Sequence, residues 1–260
     1  MIGIGFDIGR ITESVLSRIG IINIENPLYP NYLNGDYKAD IKTFLAKNYG
    51  KAVITDGAYI DLNLGTPEAE IRTIVEKKVR QSIDFATAIK SEELIFLSTF
   101  LPMIRVGFYD ETHVDNSIRF WREIMETTKN IRVSLCNTFE YDPGVLLKIA
   151  NGVGCGNFGL AFDVGHAFAY GRIPLKDFFC DIEPFCKTAY LHSNGKNADE
   201  HLNIFEGELP KSRQFQELVP LLQGKNVLLK PFDKTKLHEN LDALETQGRF
   251  KVEVNAPVHP

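Results

Sequence analysis

FGLAFDVG, residues 158–165, is the stretch on which the fold turns. Five of its first seven positions are apolar, and they do not alternate with polar ones. A strand with one wet face alternates, whereas a strand covered on both faces does not. The run then stops at Asp163 and Gly165, and HAFAYG follows at 166–171. Outward from this stretch the same unit recurs: a short apolar run, a turn, then a segment of helical periodicity. The runs are 2–8, 21–26, 52–59, 94–100, 132–139, 158–165, 188–194 and 226–232. Eight such units predict a closed (β/α)8 barrel. An open doubly wound sheet is the weaker reading, because no GxGxxG follows the first run. No Pro/Gly/Ser-rich linker interrupts the pattern, so residues 1–260 read as one domain.

The helical segments are predicted at 66–91, 113–129, 142–152, 211–224 and 234–248. In the first, Thr66 reads as a cap and Pro67 as the first helical residue. Ile71, Ile74, Val75, Val79, Ile83 and Ala86 read as its buried stripe. Pro220 should shorten or kink the fourth segment.

The chain has 260 residues, 44% hydrophobic, with a net charge of −5. That balance gives no electrostatic footprint for nucleic acid or for an anionic membrane. No run is long and apolar enough to span a bilayer. The opening MIGIGFDIG is too short and glycine-rich for a secretory core, so a cytoplasmic location is expected. Four cysteines without CxxC spacing read as reduced thiols.

In a closed barrel, polar groups at strand C-termini gather on one rim. Here these are Asp7 and Arg10, Glu25, Asp56, Ser98, Cys136 and Asn137, Asp163 and His166, His192 and Asn194, and Lys230. The sixth and seventh runs carry ligand-type side chains most densely. Asp163 and His166 follow one strand, His192 ends the next, and Asp199 and His201 lie two apart just beyond it. Imidazole and carboxylate groups in such proximity suit a divalent ion: zinc, manganese or magnesium. The expected ligands are Asp163, His166, His192, Asp199 and His201. Arg10, Glu25, Asp56, Asn137 and Asn194 are the expected substrate contacts. His113, His238 and His259 read as surface or terminal residues.

Two motifs carry a resemblance that covers most of the chain and is strongest over 131–232. GLAFDVGHAFAYG resembles the Gly-Leu-x-x-Asp-x-Gly-His-Ala motif of the xylose isomerase-like TIM barrel superfamily. LHSNGKNADEHLNIFEGEL resembles that family's His-x-x-Asn…Asp-x-His…Gly-Glu-Gly segment, although GEL lacks the second glycine. The family includes sugar isomerases and epimerases and the endonuclease IV type of repair enzyme. The resemblance implies a metal-dependent protein acting on a small carbohydrate or a phosphorylated substrate. Its isomerases bind one ion through Glu, Asp, His and Glu, and Asp163 and His192 match the middle pair. Cys136 and Lys230 stand where the two glutamates, also the acid/base pair, are expected. These two, with Asp163, become the expected catalytic positions. Lys230 would serve as an anion clamp, or as a base if burial lowers its pKa. Asp56 and Ser98 stand where endonuclease members have histidines, while the triad His166, Asp199 and His201 is kept. The implied function is a divergent sugar or sugar-phosphate isomerase/epimerase-like protein. A ligand-binding barrel without turnover is the alternative, and metal-dependent phosphodiester cleavage ranks third. The assembly state stays open.

Overall fold

Parallel pairing runs unbroken around a ring of eight strands in the computed structural model, which describes residues 1–5, 12–25, 36–48, 50–59, 61–196 and 198–246. Asp7, Arg10 and His259 lie outside the described residues. The strands are β1 (Ile2–Gly5), β2 (Ile21–Ile24), β3 (Ala52–Asp56), β4 (Glu93–Leu97), β5 (Arg132–Cys136), β6 (Phe158–Asp163), β7 (Cys186–Leu191) and β8 (Asn226–Leu229). Each pairs with the next in sequence, and β8 closes on β1 through Gly3 opposite Leu228. Gly3 is required there, because a Cβ would stand 2.6 Å from Leu228 Cδ2 and 2.7 Å from Ile21 Cβ. The chain is therefore a single (β/α)8 TIM barrel.

The helices on the outside are α1 (Glu13–Leu16), α2 (Asp36–Lys47), α3 (Ala69–Ala88), α4 (Tyr109–Thr127), α5 (Gly144–Val153), α6 (Val164–Tyr170), α7 (Leu175–Ile182), α8 (Arg213–Leu218) and α9 (Leu237–Thr246). Pro220 acts as expected: α8 ends at Leu218 and continues as a short 3-10 turn, Val219–Leu222. Two readings of the first long helical segment are corrected. Helix α3 begins at Ala69, after Thr66 and Pro67. Its buried face is Val75, Val79, Ser82, Phe85 and Ala86, while Ile71 and Ile74 are 44% and 59% exposed. The expected stripe holds at Val75, Val79 and Ala86, is only partly buried at Ile83, and starts one turn too early. His113 is corrected too. It is buried on α4 at 3% exposure, against Phe100 and Tyr109.

Inside the ring, side chains two residues apart along each strand fall in successive layers. The middle layer joins Ile21, Ile54, Ile95, Cys136, Ala161, Tyr190 and Leu228 in one apolar cluster. Below it, the buried Glu93 carboxylate accepts from Ser134 Oγ and Thr188 Oγ1 and pairs with Arg132 Nε at 3.4 Å. Two residues beyond the middle layer come Asn23, Asp56, Asp163, His192 and Lys230. That is the polar mouth, the end of this fold where sites are built.

Candidate metal centre and barrel mouth

Asp163 is the last residue of β6 and the N-cap of α6. Its Oδ1 accepts from the His166 backbone N–H at 2.8 Å, so strand and helix join at one carboxylate and His166 is turned over the mouth. The same oxygen lies 2.9 Å from His192 Nε2. A Cβ on Gly165 would run into the His192 ring, so only glycine lets α6 start this close to β7.

The loop after β7 brings in the remaining groups. Asn194 Oδ1 accepts from the backbone N–H groups of Glu200 and His201, and its Nδ2 donates to Gly165 O. His201 adopts φ 47, a left-handed conformation that costs a non-glycine residue strain. Its ring stacks on His192 at 3.6 Å and on Phe232 at 4.3 Å.

These constraints leave His166, His192, Asp199 and His201 each offering one ligand atom, all within 4.8 Å of one another. His166 Nδ1–H donates to Asn137 O at 3.0 Å, and its Nε2 lies 3.1 Å from Asp199 Oδ2. His201 repeats the arrangement: Nδ1–H donates to Lys230 O at 2.7 Å, and Nε2 lies 3.3 Å from Asp199 Oδ1. A backbone carbonyl behind each imidazole fixes the tautomer and the ring direction, as partners of metal-bound histidines do. His192 supplies a further sign. With Nε2 on Asp163, its Nδ1 is buried with no hydrogen-bond partner. Such an atom is costly to leave unpaired. Burial outweighs Asp163 and holds His192 below its ordinary pKa, so this nitrogen keeps a lone pair. The donor set fits a divalent ion of the zinc type.

Charge is concentrated around the cluster. Burial opposes ionisation of Asp163 and Asp199, but the neighbouring imidazoles hold both far below the usual carboxylate range. Burial likewise opposes the His166 cation, yet Asp163 and Asp199 raise it to about 9.

Beside the histidines lies a second charged array. Lys230 Nζ donates to Asn23 Oδ1 at 3.0 Å, Glu25 Oε1 at 3.0 Å and Asp56 Oδ2 at 2.7 Å. Tyr190 OH and Asn23 Nδ2 donate to Asp56 Oδ1. Lys234 Nζ donates to Glu25 Oε2 at 2.6 Å. Burial works against the Lys230 cation, but Asp56 and Glu25 overcome it and raise its pKa. Lys230 is therefore a fixed cation, and the reading of it as a base is set aside. Burial would raise Glu25 as well, yet Lys230 and Lys234 hold it at about 2.

The structure gathers most expected site residues here and moves four of them to other tasks. Cys136 lies fully buried in the middle layer, where burial pushes its thiol pKa up; it does not reach the mouth cavity and offers neither ligand nor nucleophile. Asn137 and Asn194 are buried, and their amides are spent on backbone groups of Asp163, Gly165, Glu200 and His201, so neither is a substrate contact. Asp163 bonds His192 Nε2 and caps α6, and it is not among the four convergent groups. Glu25, Asp56, Asp163 and Lys230 all line the mouth cavity. Sequence reasoning missed Asn23, Tyr190 and Lys234. Tyr190 was within reach, since it precedes His192 by two residues and so faces inward with it.

Residues 16–247 match the family described as xylose isomerase-like TIM barrel. The chain belongs to that family. An uncharacterized protein of Methanocaldococcus jannaschii is 25% identical over 174 residues, a match covering 64% of this chain and 59% of that protein. A D-tagatose 3-epimerase-like protein superposes with a TM-score of 0.76 at 18% identity, covering 94% of this chain and 96% of that one. A Thermus thermophilus protein, solved after soaking with zinc chloride, gives 0.71 at 19% identity, covering 96% and 99%. At these identities the likeness is one of fold. No helix among the described residues is long and apolar enough to cross a membrane.

Proposed function

We propose that this protein is a divalent-metal-dependent, isomerase/epimerase-type barrel for a small hydroxy-carbonyl compound of the carbohydrate class. The observation that carries this is the convergence of His166, His192, Asp199 and His201 within 4.8 Å, with His166, Asp199 and His201 lining the same cavity as Lys230, Glu25 and Asp56. His166, Asp199 and His201 would hold the ion, with the free nitrogen of His192 as the fourth donor. An ion bound there supplies Lewis acidity toward a carbonyl or hydroxyl oxygen. The likeness to a D-tagatose 3-epimerase-like protein supports the substrate class, and the zinc-soaked relative supports the ion.

The chain's own part is to hold the substrate's other atoms and to move a proton beside the carbonyl. With Cys136 buried and Lys230 permanently charged, the acid/base work falls to Asp56 and the Tyr190 hydroxyl that donates to it. Lys230 positions that carboxylate. A second reading, binding without turnover, is favoured by one observation: the three N–H groups of Lys230 already have three acceptors on the protein.

Incubating zinc- or manganese-loaded protein with D-tagatose or D-fructose in D2O tests the proposal by NMR. Deuterium should enter beside the carbonyl. Asp56→Asn should stop the exchange while metal content stays, and His166→Ala or His201→Ala should lower both. Loaded protein that exchanges neither sugar, yet is stabilised by one, would replace this reading with the second.

A further inference from the structure

The walls of the mouth cavity divide by chemistry. One side carries the histidine cluster and the Lys230 array. The other, apart from Tyr59 and from Asn63, whose Oδ1 accepts from Gly65 N–H, is mostly carbon: Leu62 from the β3–α3 connection, Leu97 and Leu101 from β4 and the segment after it, and Phe139 after β5. All four are partly exposed to the cavity. The hydroxyls on that side are turned to their own backbone. Thr138 Oγ1 donates to Ser98 O, Thr99 Oγ1 accepts from Leu64 N–H, and Ser98 Oγ accepts from Phe100 N–H. Beyond Leu101 the same connection exposes Met103, Val106 and Phe108.

A free sugar has a hydroxyl on nearly every carbon. Against this wall those hydroxyls would lose water and gain no partner, which is unfavourable. The cavity, about 820 Å³, is also larger than one monosaccharide fills. It stands near the top of the range for small-molecule pockets, about 300–1,000 Å³.

We propose that the ligand is amphipathic: an oxygen-bearing head toward His166, Asp199 and His201, and an apolar or aryl arm laid against Leu62, Leu97, Leu101 and Phe139. The proposal rests on the metal-centred reading above for the head and on the carbon wall for the arm. It narrows the carbohydrate class proposed above to hydroxy-carbonyl compounds that carry an apolar substituent; D-tagatose and D-fructose present the head alone and serve as head-only probes of exchange.

Hydroxamates with and without a ring separate the two parts. Protein is loaded with zinc, its metal content is measured, and acetohydroxamate and benzohydroxamate are titrated by calorimetry. Benzohydroxamate should bind at least about tenfold tighter. Leu101→Asn and Leu62→Asn, each checked for a native circular dichroism melt, should reduce that advantage below about threefold and leave acetohydroxamate unchanged. Equal affinity for the two hydroxamates in zinc-loaded protein overturns the apolar arm and leaves the metal reading standing. Protein that takes up no zinc overturns the metal reading. The arm is then judged on metal-free protein with anilinonaphthalenesulfonate, which should bind saturably and weaken at least about fivefold in Leu101→Asn. Binding indifferent to that substitution overturns the proposal.

Discussion

Lys230 shows how one side chain sets the character of a barrel mouth. Its ammonium offers three N–H groups and meets three acceptors on β2 and β3 and just past β2. Removing it strands two carboxylates in a poorly hydrated place. Lys230→Met should cost about 2–4 kcal/mol in urea unfolding at pH 7, less than for a fully buried pair because Glu25 retains 31% side-chain exposure. The pH sign follows from Glu25, whose pKa is about 2 folded against an ordinary 4.5. That lowering stabilises the fold above pH 4.5 and is lost as pH falls toward 2. The gap between wild type and Lys230→Met should therefore narrow below pH 4.5, and a gap that widens there would refute the pairing. This array was only half legible in the sequence. Asp56 ends a strand and Glu25 and Lys230 each directly follow one, so the barrel rule places them on the rim. Which of them meet depends on stagger between strands far apart in sequence, which no local pattern encodes. Cys136 misled for a related reason, because its position in a family motif says nothing of whether its side chain reaches the cavity.

At the scale of single elements, two packing contacts make sharp forecasts. Helix α6 starts against β7, where a Cβ on Gly165 would meet the His192 ring. Gly165→Ala should cost about 1–3 kcal/mol through overpacking and lower bound zinc as His192 is displaced. Unchanged zinc per chain by elemental analysis would show that this contact does not shape the cluster. On α4, burial alone holds His113 at about 4 against an ordinary 6.5. The unfolded chain then takes up a proton below pH 6.5 that the folded chain refuses, so stability falls with pH down to about 4. Between pH 7 and 5 this loss is about 2 kcal/mol. Measured against wild type, His113→Leu should lose stability less steeply over that interval, and parallel slopes would count against a neutral His113. Sequence periodicity located α4 but not the burial of His113, since the chain that covers it, around Gly65 and Phe100, comes from other connections. The strands were legible because an unbroken apolar run has few places to be except inside a ring of helices. The early end of the buried stripe on α3 was not, because the periodicity at Ile71 and Ile74 persists where the core does not.

On the scale of the whole molecule, the candidate ligands tie together parts of the ring that local contacts do not. His166 is braced by the carbonyl of Asn137 after β5, His192 directly follows β7, and His201 is braced by the carbonyl of Lys230 after β8. An ion joining them would therefore resist global unfolding and not merely the fraying of one loop. A ligand that binds only the folded chain stabilises it by about 2.7 kcal/mol at a hundredfold excess over its Kd. For a domain of this size that corresponds to a rise in Tm of roughly 5–10 °C. Zinc should produce this rise in calorimetric scans, and EDTA should reverse it. His201→Ala should abolish it. His238→Ala should not, because His238 bonds Ser14 on α1 and lies outside the cluster. A zinc-induced shift equal in the two variants would place the ion elsewhere and remove the support for His166, Asp199 and His201 as its ligands.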